Sequence, residues 1–454
     1  MKPITVSDLL SAVHGELLCG ARDASFTAVS TDSRTVPDGA LFLPIVGETF
    51  DGHDFIDKAL SAGAAGCLCA RVPETLRGDR FYVRVADTTV AYRDLAAWYR
   101  AQFDIPMVQV TGSVGKTTAK EMIAAVLSQR FRTLKTEANY NNEIGTPRML
   151  LRLDESYEAA VIETGMDRAG QIRYLGEAVR PTIAVITNIG DMHIEYLGSR
   201  EGIFRAKCEI FEHLAPNGLA VLNGDDEWLN RVCLPQEIVT AGTQAHCAVR
   251  VTDVVDRGID GISCTVTTSR ARYALSVPAP GAHMVYPVSA AVAVGEALGL
   301  TVDEITRGVA AYEPAGARMR VVTLSGGRRL LDDCYNAGPQ SMRAALEVLA
   351  RSEGATVAVL GDMAELGALT VQAHREMGQL AKSLGVGRVI AVGNKAKDIA
   401  AASGGDWFAT VDEALPAVRA AFAPHTALLV KASHSMHFDR IAEELKGRFC
   451  AQAQ

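Results

Sequence analysis

From Pro106 onward, short apolar runs alternate with longer stretches whose apolar residues recur every three or four positions. That rhythm predicts strands and helices taken in turn, the signature of a mostly parallel sheet. Residues 107–110, 159–162 and 183–186 read as short buried strands, and 116–129 and the Ala-rich 288–298 read as helices. Residues 236–280 are richer in Val and Thr and read as an antiparallel insertion. The last third alternates again, with strands expected at 330–331, 357–360, 389–392 and 427–430. Before Pro106 the pattern is broken by turn chemistry: Val36-Pro37-Asp38-Gly39-Ala40 precedes a strand at 41–43,. A helix near 56–62, a strand near 82–85 and a helix at 94–102 follow.

At 454 residues the chain exceeds one ordinary core,. Three α/β domains are expected, at 1–87, 88–314 and 315–454, with Glu313-Pro314-Ala315-Gly316 as the second linker,. The last is expected to be an open α/β sheet with ligand-binding turns at its strand ends.

A net charge of −8 argues against a protein that coats nucleic acid,. It leaves room for a small phosphorylated ligand. The nine cysteines are scattered in no zinc or redox spacing, which fits free thiols in a reducing cytosol,. No apolar run reaches the roughly 18 residues of a membrane span, and the N-terminal stretch lacks the core of a signal peptide. A cytoplasmic monomer is expected.

The sharpest chemical signal is Thr111-Gly112-Ser113-Val114-Gly115-Lys116-Thr117-Thr118, between an apolar strand and a helix. Glycines let backbone N–H groups approach phosphate oxygens, and the helix presents its positive end to the same anion. Lys116 supplies a point charge for terminal phosphates, and the Thr117 hydroxyl suits Mg²⁺. The spacing is not the standard one, whose first glycine would fall at Val110. A glycine turn capping a helix competes with the short core motif taken alone; the flanking strand and helix favour nucleotide binding.

Three later residues stand at the ends of predicted strands or on the helix beyond them. Glu163 follows 159–162, His193 follows the strand at 183–186, and Lys207 lies on a predicted helix. Each alone has an ordinary structural explanation; in this order after a P-loop they suggest Mg²⁺ bridged to ATP phosphates.

Together these residues resemble the Mur ligase family of bacterial cell-wall synthesis. Thr31-Asp32-Ser33-Arg34, Gly39, Phe42, Gly47 and Asp51-Gly52-His53 match a UDP-sugar-holding domain. Thr111–Thr118 followed by Lys120-Glu121 is similar to the family's own P-loop. Asn139-Tyr140-Asn141-Asn142 through Pro147 is close to a signature beside the substrate channel. The resemblance implies a small α/β UDP-sugar-binding domain, a central P-loop ATPase domain and a C-terminal Rossmann-like one. It implies ATP held by Gly112, Ser113, Val114, Gly115, Lys116, Thr117 and Thr118, with Arg318, Asp333 and Asn336 reaching the nucleotide across the interface. Asp32, Ser33, Arg34, Asn139, Asn141 and Asn142 would contact the UDP-substrate. Thr117, Glu163, His193 and a carbamylated Lys207 would organise Mg²⁺, and Lys116, Glu163, His193 and Lys207 would form the catalytic set.

Asp332-Asp333-Cys334-Tyr335-Asn336 and Gly361-Asp362-Met363-Ala364-Glu365-Leu366-Gly367 resemble the members that take D-alanyl-D-alanine, and the Asp-Asn-Pro-Arg motif of those that take a diamino acid is absent. The implied reaction is ATP-dependent addition of D-alanyl-D-alanine to UDP-N-acetylmuramoyl-tripeptide through an acyl phosphate. A ligase with another amine acceptor, or a non-catalytic paralogue binding UDP-sugar peptides, is the alternative. Departures at four positions bear on it: Met284 and Pro287 stand where the family carries asparagines, His434 stands where it carries arginine, and Gly338 replaces a usual asparagine.

Overall fold

The strands anticipated around 107, 159 and 183 become neighbours: Ala159–Glu163, Met107–Thr111 and Ile183–Ile186 pair side by side and parallel. Their side chains are buried on both faces, which explains continuous apolar runs instead of alternation,. A computed structural model describes residues 1–450 of the chain. In it these strands belong to a nine-stranded sheet ordered Arg272–Val277, Ile262–Thr267, Val249–Asp256, Glu237–Gly242, Leu219–Asn223, Ile183–Ile186, Met107–Thr111, Ala159–Glu163 and Thr133–Lys135. The stretch expected as an antiparallel insertion is therefore corrected. Glu237–Gly242 pairs parallel with Leu219–Asn223, and only the last three strands run antiparallel, extending the same sheet.

The Lys116–Leu127 helix covers one face of this sheet. Beside it on the same face lies Val285–Ala297, buried through most of its length and apolar on every side. This second helix begins three residues earlier than expected, because Pro287 falls in its first turn, where a missing N–H costs nothing,.

The N-terminal unit is a five-stranded sheet, Glu16–Cys19, Phe81–Arg84, Gly66–Cys69, Leu41–Phe42 and Val29–Ser30, parallel except for its first pair. The helix Thr88–Arg100, capped by the Asp87 carboxylate on the Thr89 and Val90 N–H groups, joins it to the central sheet,. Its face bearing Tyr92, Leu95 and Tyr99 packs in one apolar cluster with Phe81 and Val83 on one side and Met107 and Ile162 on the other. Tyr99 also donates to the Leu153 carbonyl at 2.7 Å and accepts from the Lys2 N–H at 2.8 Å.

The C-terminal unit is a six-stranded sheet ordered Arg320–Leu324, Arg328–Asp332, Thr426–Lys431, Ala355–Gly361, Arg388–Val392 and Asp406–Phe408, parallel after its first antiparallel pair. It meets the central unit partly through the extended hairpin: Ile259 packs on the C-terminal core and Asp256 pairs with Arg351. The whole is a three-unit α/β architecture. No described helix is long and apolar enough to cross a membrane.

Candidate active site

The carboxyl ends of the central strands open into a cavity of about 1050 Å³, whose far wall comes from the C-terminal unit. Strand Met107–Thr111 delivers the chain into it at Gly112, and two features shape the loop that follows. Gly112 has φ +148°, and a Cβ there would collide with the Thr187 hydroxyl; Gly115 has φ +81° with open space around it. Both positions therefore demand glycine, one for close packing and one for backbone conformation. Gly115 is also the N-cap of Lys116–Leu127 and offers no side-chain acceptor, so the first N–H groups of that helix face the cavity unclaimed,.

The loop is held from beneath by the segment after Ile183–Ile186. Asn188 accepts from the Val114 N–H at 3.0 Å and donates to the Val114 carbonyl at 2.9 Å. The Ser113 N–H donates to the Asn188 carbonyl at 3.0 Å, and the Ser113 hydroxyl accepts from the Gly190 N–H at 2.8 Å. Lys116 folds back over the loop and donates to the Gly112 carbonyl at 3.0 Å. Its burial lowers its pKa from the usual ammonium value, with the Glu163 carboxylate opposing.

Glu163 is 2 % exposed at the end of its strand. One carboxylate oxygen accepts from the Thr117 hydroxyl at 2.7 Å and the other from the Asn141 amide at 2.8 Å. Its own N–H donates to the hydroxyl of Thr136, whose carbonyl accepts from buried Lys120 at 2.6 Å. Thr136 was invisible to sequence reasoning, because a lone threonine after a short strand carries no signal. Lys207 is 1 % exposed, and its side-chain amine makes no hydrogen bond or ion pair among the described residues. Burial and the nearby Lys116 charge drive its pKa well below the usual lysine value, toward the neutral amine,. His193 adopts φ +64° and lines the cavity, with Nδ1 2.6 Å from the Glu365 carboxylate of the C-terminal unit.

Across the cavity, the Arg318 guanidinium lies 3.7 Å above the Tyr335 ring, itself 5.5 Å from the His434 imidazole. Asp333 accepts from Lys431 at 2.5 Å and from the Met319 N–H at 3.0 Å; its burial raises the carboxyl pKa against the pull of Lys431. Asn336 is exposed at the rim, its side chain turned onto the Ala337 N–H. Met284 and Pro287 put apolar surface on the cavity wall.

The remaining expected residues lie differently. Asn141 and Asn142 reach the cavity, although Asn142 also caps the Gly145–Leu150 helix through the Gly145 N–H at 2.8 Å. Asn139 is exposed and lines no part of the cavity. Asp32, Ser33 and Arg34 sit on the N-terminal unit away from it. There Asp32 and Arg34 form a bidentate pair, and the guanidinium holds the Asp32 carboxyl down at about 2. His53 is a clasp: its Nε2 accepts from the Ala70 N–H at 2.9 Å, so Nδ1 carries the proton toward Asp51 at 2.6 Å,.

The cavity suits a nucleoside triphosphate, with uncapped helix N–H groups, two obligatory glycines and a lysine at one end. Thr117 and Glu163 offer hard oxygen donors beside it. No three His, Cys, Asp or Glu side chains among the described residues form a ready-made metal cage. That donor set fits Mg²⁺, which takes one or two carboxylates and completes its shell with phosphate and water.

Family models match residues 25–99 (Mur ligase family, catalytic domain), 110–295 (Mur ligase middle domain) and 317–434 (Mur ligase, glutamate ligase domain). The UDP-N-acetylmuramoyl-tripeptide–D-alanyl-D-alanine ligase of Escherichia coli (strain K12) is 38% identical over 452 residues, covering 98% of this chain and 99% of its own. MurF from Acinetobacter baumannii superposes with a TM-score of 0.92 at 31% identity, over 98% of this chain and 99% of that one. The MurF ligase from Thermotoga maritima in complex with ADP gives 0.83 at 28% identity, over 93% and 98%. The chain therefore belongs to the Mur ligase family.

Proposed function

We propose that this chain is an ATP-dependent amide ligase of peptidoglycan precursor synthesis, joining D-alanyl-D-alanine to UDP-N-acetylmuramoyl-tripeptide and releasing ADP and phosphate. The observation that carries the reading is the union, in one cavity, of an uncapped P-loop helix, the Thr117–Glu163–Asn141 network and an opposing wall from the C-terminal unit. The near full-length relatedness to ligases of that printed name supports the choice of substrates.

The chemistry follows from what a carboxylate lacks. Its leaving group would be oxide, so it must first be phosphorylated. The P-loop N–H groups and Lys116 take up the charge of the terminal phosphates. Bound Mg²⁺ would supply further neutralisation of that charge, held by Thr117 and Glu163 with His193 nearby. The substrate's terminal carboxylate oxygen then displaces ADP at the γ-phosphorus, giving an acyl phosphate. The amine of D-alanyl-D-alanine attacks the acyl carbon, phosphate leaves, and the nitrogen loses a proton to give the amide.

Lys207 fits this scheme as a carbamate. A buried amine whose ammonium form is disfavoured, and whose side chain has no partner among the described residues, can add CO₂ with loss of a proton, placing an anion beside Lys116. Arg318 and Asp333 would meet the nucleotide from the C-terminal side, so water is kept from the acyl phosphate when the wall is in place. Asp32, Ser33 and Arg34 would hold the UDP end on the N-terminal unit, and divisions near residues 87 and 314 would separate the three roles.

ADP release assayed with UDP-N-acetylmuramoyl-tripeptide, with and without D-alanyl-D-alanine, tests the proposal. Turnover dependent on both substrates is expected; turnover indifferent to the dipeptide, or none at all, would sink it.

A further inference from the structure

The segment from Thr187 to His193 has two neighbours, and the mechanism above uses only one. On its inner side it props up the P-loop through Asn188 and Gly190. On its outer side it is met by three residues from two stretches of the C-terminal unit. Gln340 packs so closely on Gly190 that a Cβ there would strike its carboxamide. The Met192 sulfur lies over Gly338 and occupies the space any larger residue would need. Glu365, on the loop after Ala355–Gly361, brings Oε2 to 2.6 Å from His193 Nδ1. The pair is a close charge contact, and no hydrogen bond of good geometry satisfies that buried ring nitrogen.

The backbone at His193 is strained, with a non-glycine residue in the left-handed region. Such strain persists only where surrounding contacts over-determine it. Here those contacts come from a different unit of the protein. A carboxylate on one imidazole nitrogen fixes the ring's orientation and tautomer and leaves the other nitrogen for a ligand.

We infer that Glu365 is a positioning residue: by engaging Nδ1 of His193 from the C-terminal unit, it reserves Nε2 for the cavity and makes the central half of the site dependent on docking of the C-terminal half. The inference rests on the proposed ligase reading. It also accounts for Gly338, since a small residue there lets Met192 and the rest of the segment seat against the C-terminal unit.

The test uses the full chain, with E365A and E365Q, and Mn²⁺ as a paramagnetic probe beside a non-hydrolysable ATP analogue. Glutamine retains an oxygen that can accept from Nδ1–H, so it should rescue part of what alanine loses. Mn²⁺ retention measured by electron paramagnetic resonance should fall about tenfold in E365A and less in E365Q. In the ligation assay kcat should drop in the same order while KM for the UDP-substrate holds. Equal Mn²⁺ affinity and equal kcat in parent and E365A, with the parent ligating normally, would overturn the inference and leave the ligase reading standing. A parent without ligation would remove both. Equal losses in E365A and E365Q, tracking a lowered melting temperature, would assign Glu365 a merely structural role and also overturn it.

Discussion

Thr117 and Glu163 lie 46 residues apart, yet the hydroxyl of the first donates to the carboxylate of the second at 2.7 Å. The contact exists because Met107–Thr111 and Ala159–Glu163 are adjacent parallel strands, so their carboxyl ends emerge side by side. Removing the carboxylate leaves a buried donor on Thr117 and a half-buried one on Asn141 with nothing to bind. E163A should lose about 1–3 kcal/mol of stability in urea unfolding. E163Q should retain most of that stability but lose about 100-fold or more in kcat, because shape survives and charge does not.

Lys116 tests the P-loop itself. Its ammonium is bonded only to loop carbonyls, so K116A should unfold within about 1 kcal/mol of the parent,. ADP formation should fall by about 10³-fold or more, measured by a coupled assay.

His283 predicts a pH dependence of stability. Burial, with the Lys431 charge adding to it, lowers this imidazole to about 4, against 6.5 for the free side chain. The unfolded chain therefore takes up a proton between pH 6.5 and 4 that the folded chain refuses, so stability falls as pH falls through that window. Between pH 7 and pH 5 the loss should be about 1–2 kcal/mol, taking 1.36 kcal/mol per unit and allowing for partial exposure. H283Q should flatten that slope in chemical denaturation at the two pH values.

Arg318 owes its place to a face of Tyr335. A lysine cannot reproduce a planar cation lying on a ring, so R318K should weaken ADP binding about fivefold to tenfold by calorimetry. Y335A should do the same without touching any charge.

The exposed Asp32–Arg34 pair belongs to a different test. Its loss should leave the melting temperature unchanged, since solvent-exposed pairs contribute little. KM for the UDP-substrate should rise about tenfold in R34A if the guanidinium serves a phosphate or uracil oxygen.

Much of the central unit was legible from order alone. Continuous apolar runs such as Ile183–Ile186 announce strands buried on both faces, and the glycines at 112 and 115 announce a loop that side chains could not build. What stayed hidden was pairing. The Val- and Thr-rich stretch gave strand content, but nothing local says that Glu237–Gly242 runs parallel to Leu219–Asn223, because that register is set by burial against helices far along the chain,. Thr136 was hidden for the same reason, and although Glu365 stands in the Gly361–Gly367 motif, its contact with the distant His193 was hidden too. Cys67 and Cys69, separated by one residue, are wholly buried on the Gly66–Cys69 strand and serve as small core residues,.

The helix Val285–Ala297 has no polar face to turn toward water, and it packs flank to flank with the helix that carries Lys116 and Thr117. From the adjoining helix Val302–Ala310, Gly308 presses so near the Val126 backbone that not even a methyl group would fit between them. Recoil of the phosphate-gripping helix would tear open this dry packing, so that helix behaves as a fixed anvil. Opening for substrate entry and product departure therefore falls to the opposite wall, and ligands wedged between Met192 and Gly338 should jam the enzyme without competing for nucleotide.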